Sequence, residues 1–341
     1  QGDNTGPYSA GAILKDPTVE VAVLETARGG ILRSGLAFDS CDIGVVLNVA
    51  ADHLGLGGID TIEQMARVKA VVAETVKADG YAILNADDPL VAAMAEKLNC
   101  NVAYFSMNPD NPIIIEHSRR NGLAAVYEHG YLSILEGKWT LRIEKAINIP
   151  VTMGGKAPFM IANALASCLA TFAQGVDIEL IRQGVRTFQM SAEQSPGRMN
   201  LFEIEDYQVL IDYAHNPHGF KAVGDFVRNW QGSKIGVVGG PGDRRNEDLI
   251  LLGNIAAEIF DQIIIKEDQD FRGRQSGEVA DLIKKGVYQI SPDKTHEIIL
   301  NEIEAINTAL NQAPKDSLVV IFPEKVDLAI NLIQQRRQKE S

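Results

Sequence analysis

Apolar positions along the chain fall into two rhythms. Short, mostly β-branched runs recur at residues 19–24, 43–47, 81–84, 209–211, 235–238, 263–265 and 318–322. Unbroken apolar runs of this length predict strands buried on both faces of a parallel sheet. Elsewhere apolar residues return every three or four positions, which predicts helices. Residues 61–78 carry Ile62, Met65, Val68, Val72 and Val76 on one face and stop at Asp79-Gly80. Residues 158–174 form a small-residue helix through Ala162, Ala164, Ala166 and Ala170. Over 102–150 the rhythm changes to short strands between Gly, Asn and Pro turns, which predicts a β-rich insertion. Ser195-Pro196-Gly197-Arg198 reads as a linker. Alternating strands and helices on either side of it predict two α/β domains, 1–193 and 194–341, and no internal repeat is evident.

Composition changes this picture little. A chain of 341 residues with 45% hydrophobic content has enough apolar material for two or three domains. Its net charge of −13 argues against nucleic acid or an anionic membrane as partner, and fits a cationic substrate. Cys41, Cys100 and Cys168 are far apart and form no CxxC. That excludes a disulfide framework or zinc site by spacing, so a cytoplasmic location is expected. No apolar run approaches the length of a membrane span, and no signal peptide is visible. The opening Gln1-Gly2-Asp3-Asn4-Thr5-Gly6-Pro7 is polar and glycine-rich, as in the middle of a domain.

The runs deliver polar residues at their C-terminal ends, the edge of an open α/β sheet where ligands bind. Glu25 opens Glu25-Thr26-Ala27-Arg28-Gly29-Gly30-Ile31-Leu32-Arg33. A carboxylate there can reach a metal held by nucleotide phosphates, or can pair with Arg28 or Arg33. Asn48-Val49-Ala50-Ala51-Asp52-His53-Leu54 ends the next run. A lone histidine is a weak magnesium signal, and an Asp-His helix cap is the alternative. Lys69 follows on the helix, and Asn85-Ala86-Asp87-Asp88-Pro89 suits a structural Asx turn. Asp212-Tyr213-Ala214-His215-Asn216-Pro217 and Gly239-Gly240-Pro241-Gly242-Asp243-Arg244-Arg245 end two further runs. An aspartate accepts ribose hydroxyls, and a glycine turn admits a ligand to the backbone or is simply a tight connection. In Lys266-Glu267-Asp268-Gln269-Asp270-Phe271-Arg272-Gly273-Arg274, three carboxylates suit a guanidinium, and Arg272 and Arg274 suit a carboxylate. An internal salt-bridge cluster is the alternative there.

The Asp212–Pro217 and Gly239–Arg245 blocks, in this order, resemble the C-terminal domain of the Mur ligase family, which forms amide bonds at the expense of ATP. The Glu25–Arg33 string resembles the cyanophycin synthetase family more specifically, and the likeness covers essentially the whole chain. The resemblance implies an α/β fold. A Mur-ligase central domain, with a partial parallel sheet and a β-rich insertion, is followed by a Rossmann-like C-terminal domain. It implies ATP and Mg2+ as cofactors and Glu25, His53 and Lys69 as catalytic residues. Glu25 and His53 would serve the metal, and Lys69, often carbamylated in the family, would support it. It puts Asn163 near the adenine, although Met160 stands where many members carry a second asparagine. It turns Arg198 to the nucleotide and Asp212 to the ribose, and sets His215 and Asn216 near the phosphates or in domain closure. Asp243 and Arg244 would tip the glycine turn, and Glu267, Asp268, Asp270 and Arg272 would bind substrate.

The implied reaction adds L-arginine to the β-carboxylate of the terminal aspartate of a polyaspartate backbone, through an acyl phosphate and an isopeptide bond. Arginine and the aspartate-containing polymer would be the partners, with no nucleic acid, no membrane, and a homo-oligomeric assembly. Two other readings stay open. One is another Mur-type ligase, of the peptidoglycan-precursor or folate kind. The other is a catalytically silent domain for polymer binding or oligomerisation. The phosphate-cradling string GxxxxGK[ST] does not occur, and Gly155-Lys156 has neither its spacing nor its Ser or Thr. In cyanophycin synthetases that loop lies just before the Gly-Asp-Asn-Thr-Gly-Pro segment, after an ATP-grasp region. The chain is therefore expected to be a fragment of a longer protein that binds ATP poorly alone.

Overall fold

The computed structural model describes residues 5–52, 54–204 and 206–340, with the side chains of the last two helical residues left out. They form two compact units, Gln1–Gly155 with Phe159–Phe188, and Lys156–Pro158 with Gln189–Ser341.

The first unit begins with helices α1 (Pro7–Leu14) and α2 (Arg28–Ser34), then β1 (Cys41–Val46), α3 (Ile62–Glu74), β2 (Val76–Asn85), α4 (Pro89–Ala92), β3 (Asn101–Ser106) and α5 (Pro112–Arg119). A meander of β4 (Leu123–Glu128), β5 (Tyr131–Glu136) and β6 (Trp139–Lys145) precedes α6 (Pro158–Ala173) and α7 (Ile178–Thr187). The six strands lie in sequence order in one sheet, parallel from β1 to β4 and antiparallel from β4 to β6. The β-rich stretch thus extends the parallel sheet rather than standing apart. Side chains alternate along a strand, and the sheet uses both faces. Leu84 and Tyr104 pack with Met65 of α3 and Ile114 of α5, whereas Ile83 and Phe105 pack with Leu165 of α6 and Ile181 of α7.

Two expectations fail here. Residues 19–24 form no strand, and Val21 and Val23 are 73% and 95% exposed. A strand exists through its ladder, because each backbone N–H and C=O needs a partner, and none of the described strands pairs with this segment. The predicted helix 61–78 ends at Glu74 instead of Asp79. Thr61 starts it with a capping box to Gln64. Val76 keeps the helical spacing but opens β2, opposite Cys41, where a bulge precedes the regular pairing of Ile43 with Tyr81.

The second unit runs β7 (Asn200–Ile204), β8 (Tyr207–Ile211), α8 (Pro217–Val227), β9 (Lys234–Val238), α9 (Asn246–Ile259), β10 (Gln262–Ile265), α10 (Glu278–Ile290), β11 (Thr295–Ile298), α11 (Glu302–Gln312), β12 (Leu318–Ile321) and α12 (Val326–Glu340). Its sheet order is β11-β10-β9-β12-β8-β7, all parallel except the edge strand β7. One face packs Ile211, Val237, Ile264 and Ile321 against α11 and α12. The strand order reverses where β12 stands between β8 and β9, and such a switch point opens a crevice at the C-terminal strand ends. The Asp212 and Gly239 segments therefore flank β12 rather than each other. Stacking of Phe220 on Phe322, centroids 4.0 Å apart, ties α8 to the end of β12.

Candidate functional site

At the C-terminal edge of the first sheet, three loops are joined by side chains reaching backbone. Asp88 caps α4, accepting from the N–H groups of Leu90 and Val91 at 3.0 and 3.2 Å. Its other oxygen accepts from Val49 N–H at 2.7 Å, which fixes the loop after β1. Asn85 donates to Leu47 O at 2.8 Å, and Asp87 accepts from Met107 N–H at 2.7 Å and from Ser106 Oγ at 2.5 Å. The Asn85–Pro89 turn is accordingly structural, as its composition suggests.

Lys69 projects from α3 into this frame and donates to Asn48 O at 2.9 Å. Burial pushes its pKa below the ordinary lysine value, with the charges of Asp52 and Asp88 opposing the shift. It is thus a half-buried amine, close to two carboxylates and bonded to a carbonyl. Glu25 is exposed, at the rim of a small pocket lined by Gly6, Pro7, Gly30 and Phe38. Arg28, on α2, donates to Leu56 O and so engages the loop after Asp52 rather than Glu25. His53 lies outside the described residues. Asn163 is exposed on α6, its amide 3.7 Å from Met160 Sδ.

Among the described residues no three His, Cys, Asp or Glu groups converge on one metal position. Magnesium does not require that, because it binds through one or two carboxylates and keeps several waters. The exposed Glu25 carboxylate fits it in donor type.

In the second unit Asp212 is buried. It takes Met199 N–H at 3.0 Å on one oxygen and Ala214 N–H at 2.8 Å on the other. Burial raises its pKa, and those two bonds oppose the rise. Each carboxylate oxygen has a second lone pair, so the clamp leaves capacity for a hydroxyl. Arg198 lies over the Tyr213 ring, 5.8 Å from its centroid, and His215 Nδ1 is 3.1 Å from Tyr213 O. Cation, ring and carboxylate together fit a ribose and its base. Asn216 caps α8, accepting from Gly219 N–H at 2.8 Å.

The glycine turn after β9 is buried against its own chain. A Cβ on Gly242 would stand 2.1 Å from Phe271 O, and one on Gly239 would stand 2.7 Å from Lys266 Cε. Asp243 bridges the buried Arg244 and the exposed Arg272, each at 2.9 Å. Arg274 donates to Gly242 O and Arg244 O, both at 2.7 Å, and to Asn246 and Glu278. Its guanidinium therefore joins the two loops.

The three acids expected to share a guanidinium are dispersed. Glu267 is buried and accepts from Gly277 and Ala280 N–H at 2.8 and 3.0 Å, at the start of α10. Free N–H groups of a helix N-terminus draw a buried carboxylate. Asp270 turns back to Arg272 N–H at 3.0 Å. Asp268 is bound to Lys266 at 2.8 Å. The internal salt-bridge alternative describes much of this segment. The residues overlooked were Lys266 and Glu302, which form a buried pair at 2.8 Å. The available signal was a lysine placed directly after three isoleucines.

The chain's similarities agree with these two units. The Mur ligase middle domain matches residues 2–171, and the Mur ligase glutamate ligase domain matches 197–324. A cyanophycin synthetase of Synechocystis sp. is 69% identical over 337 residues, 99% of this chain and 39% of the relative. One from Crocosphaera subtropica is 71% identical over 336 residues, covering 98% and 38%. The chain thus spans about two-fifths of the length of these relatives. The crystal structure of MurF from Acinetobacter baumannii matches the fold with a TM-score of 0.69 at 16% identity, over 99% of this chain and 70% of that one. With both domain models matched in order over both structural units, the chain belongs to the Mur ligase family.

Proposed function

We propose that the chain is the amide-forming region of an ATP-dependent ligase that adds L-arginine to the side-chain carboxylate of an aspartate polymer. The observation that carries this is the identity of 69–71% to cyanophycin synthetases over nearly the whole chain. The two sheet edges support it with complementary chemistry.

The first edge is the reacting one. ATP, when bound, would supply the phosphoryl group that activates the carboxylate, and magnesium would neutralise the phosphate charge. Glu25 and His53 are the metal ligands in this reading. Lys69 supports them: as a desolvated amine beside Asp52 and Asp88 it carries a charge that its surroundings can retune. Asn163 belongs to the adenine side. In the second unit Arg198 and Asp212 hold the nucleotide's sugar end, with His215 and Asn216, in the loop that leads into α8, near the phosphates or serving domain closure. Asp243 and Arg244 stiffen the glycine turn. Asp268, Asp270 and Arg272 form the substrate side, and Glu267 holds α10 beneath them. What this chain contributes is the positioning of groups and the balancing of charge.

The test is incorporation of labelled arginine into a short β-aspartyl primer by the complete gene product with Mg-ATP. Arginine-dependent elongation of the primer is expected. Elongation with another amino acid, or none, would overturn the assignment.

A further inference from the structure

The β-meander presents a second polar surface at the reacting edge of the first sheet. β4 ends at this edge, β5 starts from it and β6 returns to it. Tyr131 stands opposite Glu128 in one ladder and opposite Lys145 in the other, so the three share a face. Ser133 and Arg142, also opposite each other, lie on that face too. Helix α5 covers it as far as Val126 and Leu135. Beyond them Arg142 and Lys145 are exposed and Tyr131 is half-exposed. A tight turn through His129 and Gly130, both in left-handed backbone, fixes this corner.

Arg142 and Lys145 both lie over the Tyr131 ring, 4.9 and 5.4 Å from its centroid. Neighbouring cations on α7 are taken, Arg182 by Glu179 and Arg186 by Glu144. By contrast Arg142, Lys145 and Glu128 form no ion pair among the described residues. Acids are plentiful in a chain of net charge −13, so two adjacent cations without one stand out. Ser133 adds an independent observation. Its Oγ is buried and has no hydrogen-bond partner among the described residues. Buried hydroxyls nearly always have a partner, so this one is a donor held in reserve.

We propose that this face is a docking site for the growing polymer, where Arg142 and Lys145 hold carboxylates of units behind the reacting end. This rests on the amide-ligase reading above. Joining arginine through its α-amino group uses one carboxylate of the aspartate and brings in the arginine's own. Every unit therefore carries a carboxylate, and every finished unit also carries a guanidinium. The two cations suit the first, with Ser133 Oγ as a further donor, and Glu128 suits the second. β5 lies four strand spacings from β1, about 19 Å. An extended backbone covers that distance in about six units. Longer chains gain a second attachment, and shorter ones bind at the reacting end alone.

The test is labelled arginine incorporation by the complete gene product at saturating Mg-ATP and arginine. Aspartate-backbone primers of about four and about twelve units are compared, one too short to reach the face and one long enough. In the wild type the KM for the longer primer should be about tenfold or more below that for the shorter. Arg142→Gln/Lys145→Gln should remove most of this advantage, with kcat and the shorter primer's KM within about twofold of wild type. A merely structural role would move both primers alike. If the double variant does not fold, Lys145→Glu decides, and it should lose at least half of the advantage on a logarithmic scale. Retention of the full advantage in the folded variant overturns the proposal, as does a wild type indifferent to primer length. Either result, with arginine still incorporated, overturns this inference alone. A wild-type protein that incorporates no arginine overturns the amide-ligase reading instead.

Discussion

Lys69 and Lys266 stand near the C-terminal edges of the two sheets, and burial acts on them to opposite effect. Lys69 is half-buried and bonds to a carbonyl, with Asp52 and Asp88 near but not in direct ion pairs, and its pKa falls. Lys266 is almost wholly buried, yet it contacts two carboxylates directly, and its pKa rises. Burial alone therefore does not set the charge of a lysine. Direct pairing does. The first edge keeps an adjustable amine where chemistry is proposed. The second keeps a permanent cation where shape has to be held.

The largest difference should appear in stability. Lys266→Met leaves Asp268 and Glu302 buried without their cation and should cost about 3–5 kcal/mol. Lys69→Met forfeits one hydrogen bond to a carbonyl and should cost about 1 kcal/mol. Urea unfolding of the two variants measures the contrast, and equal midpoints would erase it. Next in size is Asp88→Ala, which removes the cap of α4 and the bond that holds Val49. A loss of about 1–2 kcal/mol is expected. Wild-type hydrogen exchange at Val49 in this variant would show that the loop after β1 does not depend on Asp88.

The smallest effect is one of pH. His117, on α5, lies edge-on to Tyr104 with ring centroids 5.0 Å apart. Burial pushes its pKa below the ordinary value, against contacts with the Leu123 and Val102 backbone. The folded state then binds the proton more weakly than the unfolded chain does. Stability should therefore fall as pH drops below about 6.5, through the window down to the folded pKa, and should stop changing below it. Substitution His117→Phe should flatten that part of the curve of urea midpoint against pH. An unchanged slope would assign it to other groups.

Much of the architecture could be read from sequence because buried parallel strands announce themselves as apolar runs. Residues 235–238 lie in β9, 263–265 in β10, and 158–173 match α6. The failures arose where the outcome depends on a partner that local sequence does not name. Val19, Val21 and Val23 have strand composition, but strand formation requires a neighbouring ladder. Val76 is in helical phase with Val72, but pairing across from Cys41 claims it for β2. The same limit applies to the charged residues. Glu267 and Asp268 are neighbours in a string of acids, yet one serves the start of α10 and the other Lys266. Asn216, whose block was read only for its place at a strand end, caps α8 ahead of Pro217.

The most direct test of the reacting edge is labelled arginine incorporation by the complete gene product carrying Lys69→Ala. The account predicts a fall in kcat of about a hundredfold or more, with the KM for arginine within about threefold of wild type. Wild-type kcat in a folded Lys69→Ala protein would contradict it and remove this lysine from the chemistry.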